Sequence, residues 1–177
     1  MINGLDFLAE TLVANNLILV QGLGLYAMLR RTNSVKEAFQ AGYTTLFGML
    51  IGGALLWLLA GYTFASLSVE IGFYLIVGAV ASVFAHGILR QESSWEDRFA
   101  DSALVGLLLL LGARGAEGAA NVLLAFGGGL GYGLVLLVMA VLRQRLELAP
   151  IPKALKGAPI LLITAGLLGI ALLGFRF

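Results

Sequence analysis

Residues 15–26 read Asn15-Asn16-Leu17-Ile18-Leu19-Val20-Gln21-Gly22-Leu23-Gly24-Leu25-Tyr26. Two asparagines and a glutamine stand inside an apolar run, and glycines follow in the middle of the same hydrophobic segment. A helix in water turns such amides toward a wet face. The flanking sequence offers none, so the stretch reads as a broken or tightly packed helix within a membrane. Irregular or polar backbone at that depth persists only where protein or a cavity covers it.

Composition points to the same setting. Of 177 residues, 60% are hydrophobic and 12% charged, and the mean hydropathy is +0.97. Soluble domains carry about 25% charged residues. A net charge of +1, with no basic stripe outside the loops, argues against nucleic acid as a partner. No residue is cysteine, which excludes a disulfide, a thiolate metal site and a cysteine-ligated cluster built from this chain alone. The start Met1-Ile2-Asn3-Gly4 lacks a basic n-region and an Ala-x-Ala site, so a cleavable signal peptide is not expected. The expectation is an all-α integral membrane protein.

A spanning helix needs about 20 mostly apolar residues. Leu5–Leu29 offers one span, weakened by Asp6, Glu10 and the amides. Ala38–Val69 is 32 residues without a charge, enough for a long or tilted helix and a short turn near Gly61. Ile71–Leu89 is a third, with His86 near its end. Ala103–Ala113 is only 11 residues, too short to cross alone and better read as a half-helix or re-entrant segment. Gly118–Leu142 is a fifth span, and Ala158–Phe175 a sixth, with Pro159 suited to the first helical turn.

Basic residues orient these segments, because cytoplasmic loops collect Lys and Arg. With the N-terminus outside, the inner loops hold Arg30, Arg31, Lys36, Arg90, Arg98, Arg143, Arg145, Lys153 and Lys156. Only Arg114 and Arg176 fall outside. The expected topology is multi-pass, N-out and C-out, in a bacterial-type inner membrane. Dividing the chain into 1–92 and 93–177 gives three segments per half. An odd number per half inverts the second, the geometry of an inverted 3+3 repeat. Each half opens with an interrupted segment, marked by Asn15, Asn16 and Gln21 in one and by Asp101-Ser102 in the other.

The polar positions carry two readings each. Asn15, Asn16 and Gln21 are donors to an anion, a cofactor edge or a partner helix, or they make ordinary helix–helix hydrogen bonds worth about 1 kcal/mol or less. Asp101 either caps the short fourth segment or, placed deeper, is a costly charge with a task; the cap is the simpler reading. Histidine is a residue type suited to a proton relay, yet His86 stands alone and a lone histidine makes a poor metal site, and an interfacial residue with no special task explains it as well. The run Gly127-Gly128-Gly129-Leu130-Gly131-Tyr132-Gly133 is no phosphate loop, because it lies in an uncharged span with no Gly-Lys-Ser/Thr after it. It supplies a small-residue face for close helix contact, as do Gly48, Gly52 and Gly53. Gly166, Gly169 and Gly174 are candidates for the same role. No nucleophile–base pair, carboxylate dyad or metal-ligand set is present, which disfavours a self-contained enzyme. A transporter-like protein and a membrane subunit of a larger complex remain.

Several strings have a familiar pattern. Asn15-Asn16, Leu19-Val20-Gln21 and Leu23-Gly24-Leu25 resemble the first segment of the Rnf/Nqr family of membrane subunits. The run Arg143-Gln144-Arg145-Leu146-Glu147-Leu148-Ala149-Pro150-Ile151-Pro152-Lys153 is a stronger match. Lys156-Gly157-Ala158-Pro159-Ile160 and Leu162-Ile163-Thr164-Ala165-Gly166 continue it, and Ala41 through Thr44-Thr45 fits too. The most similar members are the Rnf-type A and Nqr-type E subunits.

The resemblance implies six segments in an inverted repeat, paired with a homologous subunit of opposite orientation. It implies a complex, with flavin and iron–sulfur cofactors in partner subunits, that couples electron flow between ferredoxin or NADH and NAD or quinone to Na⁺ or H⁺ translocation. Paired subunits of this kind hold a [2Fe–2S] cluster near the membrane midplane. Its cysteine positions fall here on Tyr26 and Ser102, with Asp101 where the family has Asn and His86 where a carboxylate is expected. The connection from Arg90 to Ser102 is also shorter than usual. Neither phenol nor hydroxyl replaces a thiolate in an ordinary cluster. The expectation is therefore a non-catalytic subunit of an ion-translocating oxidoreductase (a translocase) that binds no cofactor or metal by itself. Asn15, Asn16, Gln21, Tyr26, Asp101 and Ser102 would line its pseudo-symmetric centre, with Tyr26 and Ser102 at the former cluster position. The alternatives are an accessory or scaffold subunit of another membrane complex, and a small transporter on the same fold.

Overall fold

The structure is a computed structural model that describes residues 16, 18–20, 22–59, 67–89, 104–106, 108–109 and 119–174. Every regular element among them is helical. In chain order these are α1 (Leu25–Arg31), α2 (Val35–Leu58), α3 (Leu67–Ile88), α4 (Ala119–Leu148), a 3₁₀ turn (Lys153–Leu155) and α5 (Ala158–Leu173). Residues 104–106 and 108–109 are also helical, within the short apolar segment expected there. The helices α2, α3 and α4 are long and apolar enough to cross a membrane. The chain is an all-α membrane protein.

Local chemistry explains where the helices depart from the apolar runs. α2 starts at Val35 rather than Ala38, because the Ser34 hydroxyl accepts the Glu37 N–H at 3.2 Å. That cap satisfies one of the amides a helix start leaves open. The uncharged run from Ala38 to Val69 is not one segment: α2 ends at Leu58 and residues 67–69 already belong to α3. The turn expected near Gly61 lies outside the described residues. α3 starts four residues ahead of Ile71 and carries Glu70 in its first turn, where the helix dipole favours a carboxylate. α4 runs past Leu142 to Leu148, since nothing breaks a helix before Pro150. Arg143 and Glu147, 3.5 Å apart, form an i,i+4 pair on this extension. Pro159 stands in the first turn of α5, as its missing N–H favours.

The chain forms two compact units, one of Met1–Tyr43 with Leu130–Phe177 and the other of Thr44–Gly129. In the first, α2 and α4 touch backbone to backbone: a Cβ built on Gly42 would lie 2.8 Å from the Cα of Gly133. Met28, Ala41, Tyr132, Leu136 and Met139 form its core. Gly169 of α5 is seated against the Leu19 carbonyl, 2.6 Å from where a Cβ would stand. In the second unit, a Cβ on Gly129 would come within 3.0 Å of the Leu46 Cα, and one on Gly53 within 2.9 Å of the Ala125 side chain. Gly48, Gly52 and Gly78 receive the side chains of Leu104 and Leu108, both buried.

Small residues thus do what the sequence assigns them, bringing helices together where lipid supplies no hydrophobic driving force. Gly166 and Gly174 are exceptions: among the described residues nothing lies within 4 Å of the Gly166 Cβ position, and a Cβ on Gly174 would meet only the Ala171 carbonyl of its own segment at 3.3 Å. Outward faces are apolar as well: Ile76, Phe84 and Ile88 of α3 are exposed, which is stable in hydrocarbon and costly in water.

Candidate functional site

The first segment is interrupted, and Asn16 organises the interruption. Its side chain is 1% exposed. The Oδ1 atom accepts the N–H of Ile18 at 3.0 Å and of Leu19 at 3.2 Å, the turn that an asparagine side chain makes with its own backbone. The main-chain carbonyl of Asn16 accepts from Val20 at 3.0 Å, and Ile18 accepts from Gly22 at 3.1 Å. One helical turn results and stops there. Gly22 (φ 70°) and Gly24 (φ 83°) then take left-handed conformations, which are strained for residues with a Cβ. They redirect the chain into α1, where the Gly24 carbonyl accepts the Met28 N–H at 3.0 Å.

The remaining polar edge of Asn16 reaches α4. Its Nδ2 donates to the carbonyl of Gly131 at 3.1 Å. Of the two readings open for this residue, the structure shows inter-segment hydrogen bonding together with capping of its own turn. All three bonds bind backbone groups that would otherwise lie unsatisfied away from water.

Tyr26 presents the opposite environment. It is 53% exposed, the guanidinium of Arg30 donates to its hydroxyl, and Arg30 lies 5.8 Å from its ring centroid in a cation–π contact. Asn16 is thus enclosed by this chain, whereas Tyr26 is not. Asn15, Gln21, Asp101 and Ser102 lie outside the described residues.

The residues present do not fit an iron–sulfur cluster. The sequence supplies no thiol, and the hydroxyl of Tyr26, which the resemblance places at a ligand position, is already engaged by a cation. Among the described residues no group of three His, Asp or Glu is placed to hold a metal ion. His86 is buried within the protein. Its Nδ1 lies 2.9 Å from the Ser82 carbonyl; since a carbonyl only accepts, the proton resides on Nδ1.

A second knot was not visible in the sequence. Arg143, half-way to burial on α4, donates through one Nη atom to the Leu29 carbonyl at 3.0 Å and the Thr32 hydroxyl at 3.4 Å. Thr32 is buried and donates in turn to the Met28 carbonyl at 2.6 Å. A cation thus closes the C-terminal end of α1, where carbonyls lack intrahelical partners and the dipole is negative. The only signal in the sequence is the arginine itself, at the head of the string that carries the family resemblance.

With the break and its partners in place, comparison with known proteins decides the family. The model of the family described as Rnf-Nqr subunit, membrane protein, matches residues 5–94 and 101–177. The chain belongs to the Rnf-Nqr family. The gap in the match, 95–100, falls between Arg90 and Ser102. Among curated relatives, a protein of Azoarcus sp. (strain BH72), named as the A subunit of an ion-translocating oxidoreductase complex, is 33% identical, covering 97% of this chain and 95% of its own. The A subunit of Syntrophotalea carbinolica is 31% identical, covering 99% and 97%. That of Azotobacter vinelandii is 31% identical, covering 95% and 93%. The similarity to Rnf-Nqr subunits thus spans the break at Asn16, the glycine-rich α4 and the Arg143 knot alike.

Proposed function

We propose that this protein is an integral membrane subunit of an Rnf/Nqr-type ion-translocating electron-transport complex, in the position of the A subunit, and that it contributes helix contacts rather than cluster ligands. The observation that carries the reading is the end-to-end similarity to proteins named as that subunit, in a chain without a single cysteine. Its partners are a homologous membrane subunit of inverted topology and further subunits that carry the flavin and iron–sulfur groups. The chain has an inverted 3+3 repeat with both termini outside. Asn15, Asn16, Gln21 and Asp101 line its pseudo-symmetric centre, with Tyr26 and Ser102 at the former cluster positions. The engagement of Tyr26 by Arg30 supports the loss of metal ligation there.

Purification of the full chain from its native membrane in mild detergent tests the proposal. The homologous inverted subunit together with flavin- or iron-containing subunits is the expected company. An unrelated complex, or a homodimer stabilised by a solute, would overturn it in favour of a scaffold or a small transporter.

A further inference from the structure

The uncharged part of α4 ends at Leu142, and α5 begins at Ala158. Between the two, a cavity of about 240 Å³ opens within the first unit. Its polar lining is Arg143, Glu147 and Lys156, and its apolar lining includes Leu146, Ile151 and Ile160. Arg143 is committed to Leu29 and Thr32, and Glu147 sits 3.5 Å from its Nε. Those two opposite charges offset each other. Lys156 makes no ion pair among the described residues and leaves the cavity with a net positive charge. Gly157, which also lines it, takes φ 90° and leads into α5 with no side-chain cap, so the positive end of that helix adds to the lysine.

We infer that this cavity holds the phosphate headgroup of an anionic phospholipid. Lys156 meets the phosphate and the apolar side chains meet the start of an acyl chain. Three features select a lipid over a free anion. A hydrated phosphate gains nothing from a wall of leucine and isoleucine, whereas an acyl chain does. The cavity stands where the apolar parts of α4 and α5 end, the level at which headgroups lie. Its volume of about 240 Å³ is below the ~300–1,000 Å³ of pockets that enclose whole small molecules, and suits a headgroup whose tails remain outside. Basic pockets between membrane helices recognise anionic headgroups in this way. The inference does not depend on the host complex.

The test uses the full chain in uncharged detergent, with thermal unfolding followed as dioleoyl phosphatidylglycerol, dioleoyl phosphatidylcholine or sodium phosphate is added. Phosphatidylglycerol alone is expected to raise the melting temperature. Lys156→Gln is expected to weaken its apparent affinity about fivefold, the effect of one lysine near an anionic surface. Lys153→Gln, at a lysine that does not line the cavity, is expected to change it less. Native mass spectrometry of the unmodified chain is expected to retain phosphatidylglycerol in preference to phosphatidylcholine. Equal effects of the two lipids, or of the two lysine variants, would overturn the assignment. Stabilisation by sodium phosphate equal to that by phosphatidylglycerol would replace it with a free-anion site.

Discussion

The side-chain amide of Asn16 donates to the main-chain carbonyl of Gly131 at 3.1 Å, across 115 residues of sequence. The same side chain accepts from Ile18 and Leu19, so one residue both opens a turn and fastens it to α4. Asn16→Ala removes all three bonds and strands two backbone donors. A buried donor left unpaired costs about 1–3 kcal/mol, while inter-helix bonds in membranes average about 0.6 kcal/mol. A loss of about 2 kcal/mol is therefore expected, dominated by the turn rather than by the link to Gly131. Reversible unfolding in mixed micelles measures it. A loss below about 0.5 kcal/mol, the range of surface substitutions, would show that Asn16 is not organising the break.

The two glycines of α5 separate close approach from mere helix content. Gly169→Ala places a Cβ 2.6 Å from the backbone oxygen of Leu19, whereas Gly166→Ala meets nothing within 4 Å among the described residues. Overpacking costs about 1–3 kcal/mol, and alanine gains about 1 kcal/mol over glycine inside a helix. Gly169→Ala should destabilise the protein and Gly166→Ala leave it unchanged or slightly more stable. Parallel melting curves of the two variants decide it, and equal curves would contradict the seating of Gly169 on Leu19.

The break itself is legible in sequence because Asn15-Asn16 and Gly22-x-Gly24 violate an apolar pattern at a depth where water is absent. The glycine run of α4 is legible for a related reason, since no loop is possible inside an uncharged span. Boundaries are less so. The extension of α2 back to Val35 depends on the Ser34 hydroxyl, and that of α4 to Leu148 depends on charged residues that hydropathy assigns to a loop. The burial of His86 is hidden because the apolar neighbours Ala85 and Ile88 are buried and exposed respectively. Nothing in a single sequence marks which of them faces protein. The clamp of Arg143 on Leu29 joins residues 114 apart, and local chemistry does not announce such a pair.

That clamp makes a directional prediction. Arg143→Lys keeps the charge but not the planar guanidinium that sets one Nη on Leu29 and Thr32 while its Nε faces Glu147, so it should still destabilise, and Arg143→Ala more so. Charge-assisted bonds of this kind are worth about 1.5–3 kcal/mol each. Glu147→Gln should matter little, because its side chain is 67% exposed and surface ion pairs are worth about 0–1 kcal/mol. If Glu147→Gln costs as much as Arg143→Ala in thermal unfolding, the ion pair and not the clamp is the stabilising contact.

The environment of Tyr26 bears on cofactor content. With its hydroxyl bonded to Arg30 and no thiol in the chain, the protein purified alone should show no iron–sulfur absorbance and bind no stoichiometric iron. Converting Tyr26 to Cys supplies at most one of the ligands that a cluster needs, so reconstitution of the variant with iron and sulfide should also fail. Stoichiometric cluster iron held by the unaltered chain would refute the proposed loss of ligation.

Topology is testable independently of any partner. By sequence, nine of the 11 basic residues flank the apolar spans on the side that is cytoplasmic only if the N-terminus is outside, and that bias is what orients multi-pass proteins. Reporter fusions after Lys36, Ser94 and Lys153 should read cytoplasmic, and a fusion after Ser66 external. The Ser66 junction is the informative one, because it follows α2 (Val35–Leu58), a helix long enough to cross, and precedes α3 (Leu67–Ile88), which is long enough to return. A cytoplasmic signal there would mean that α2 does not traverse the bilayer, and the first half would no longer contain the odd number of crossings that inversion of the second half requires.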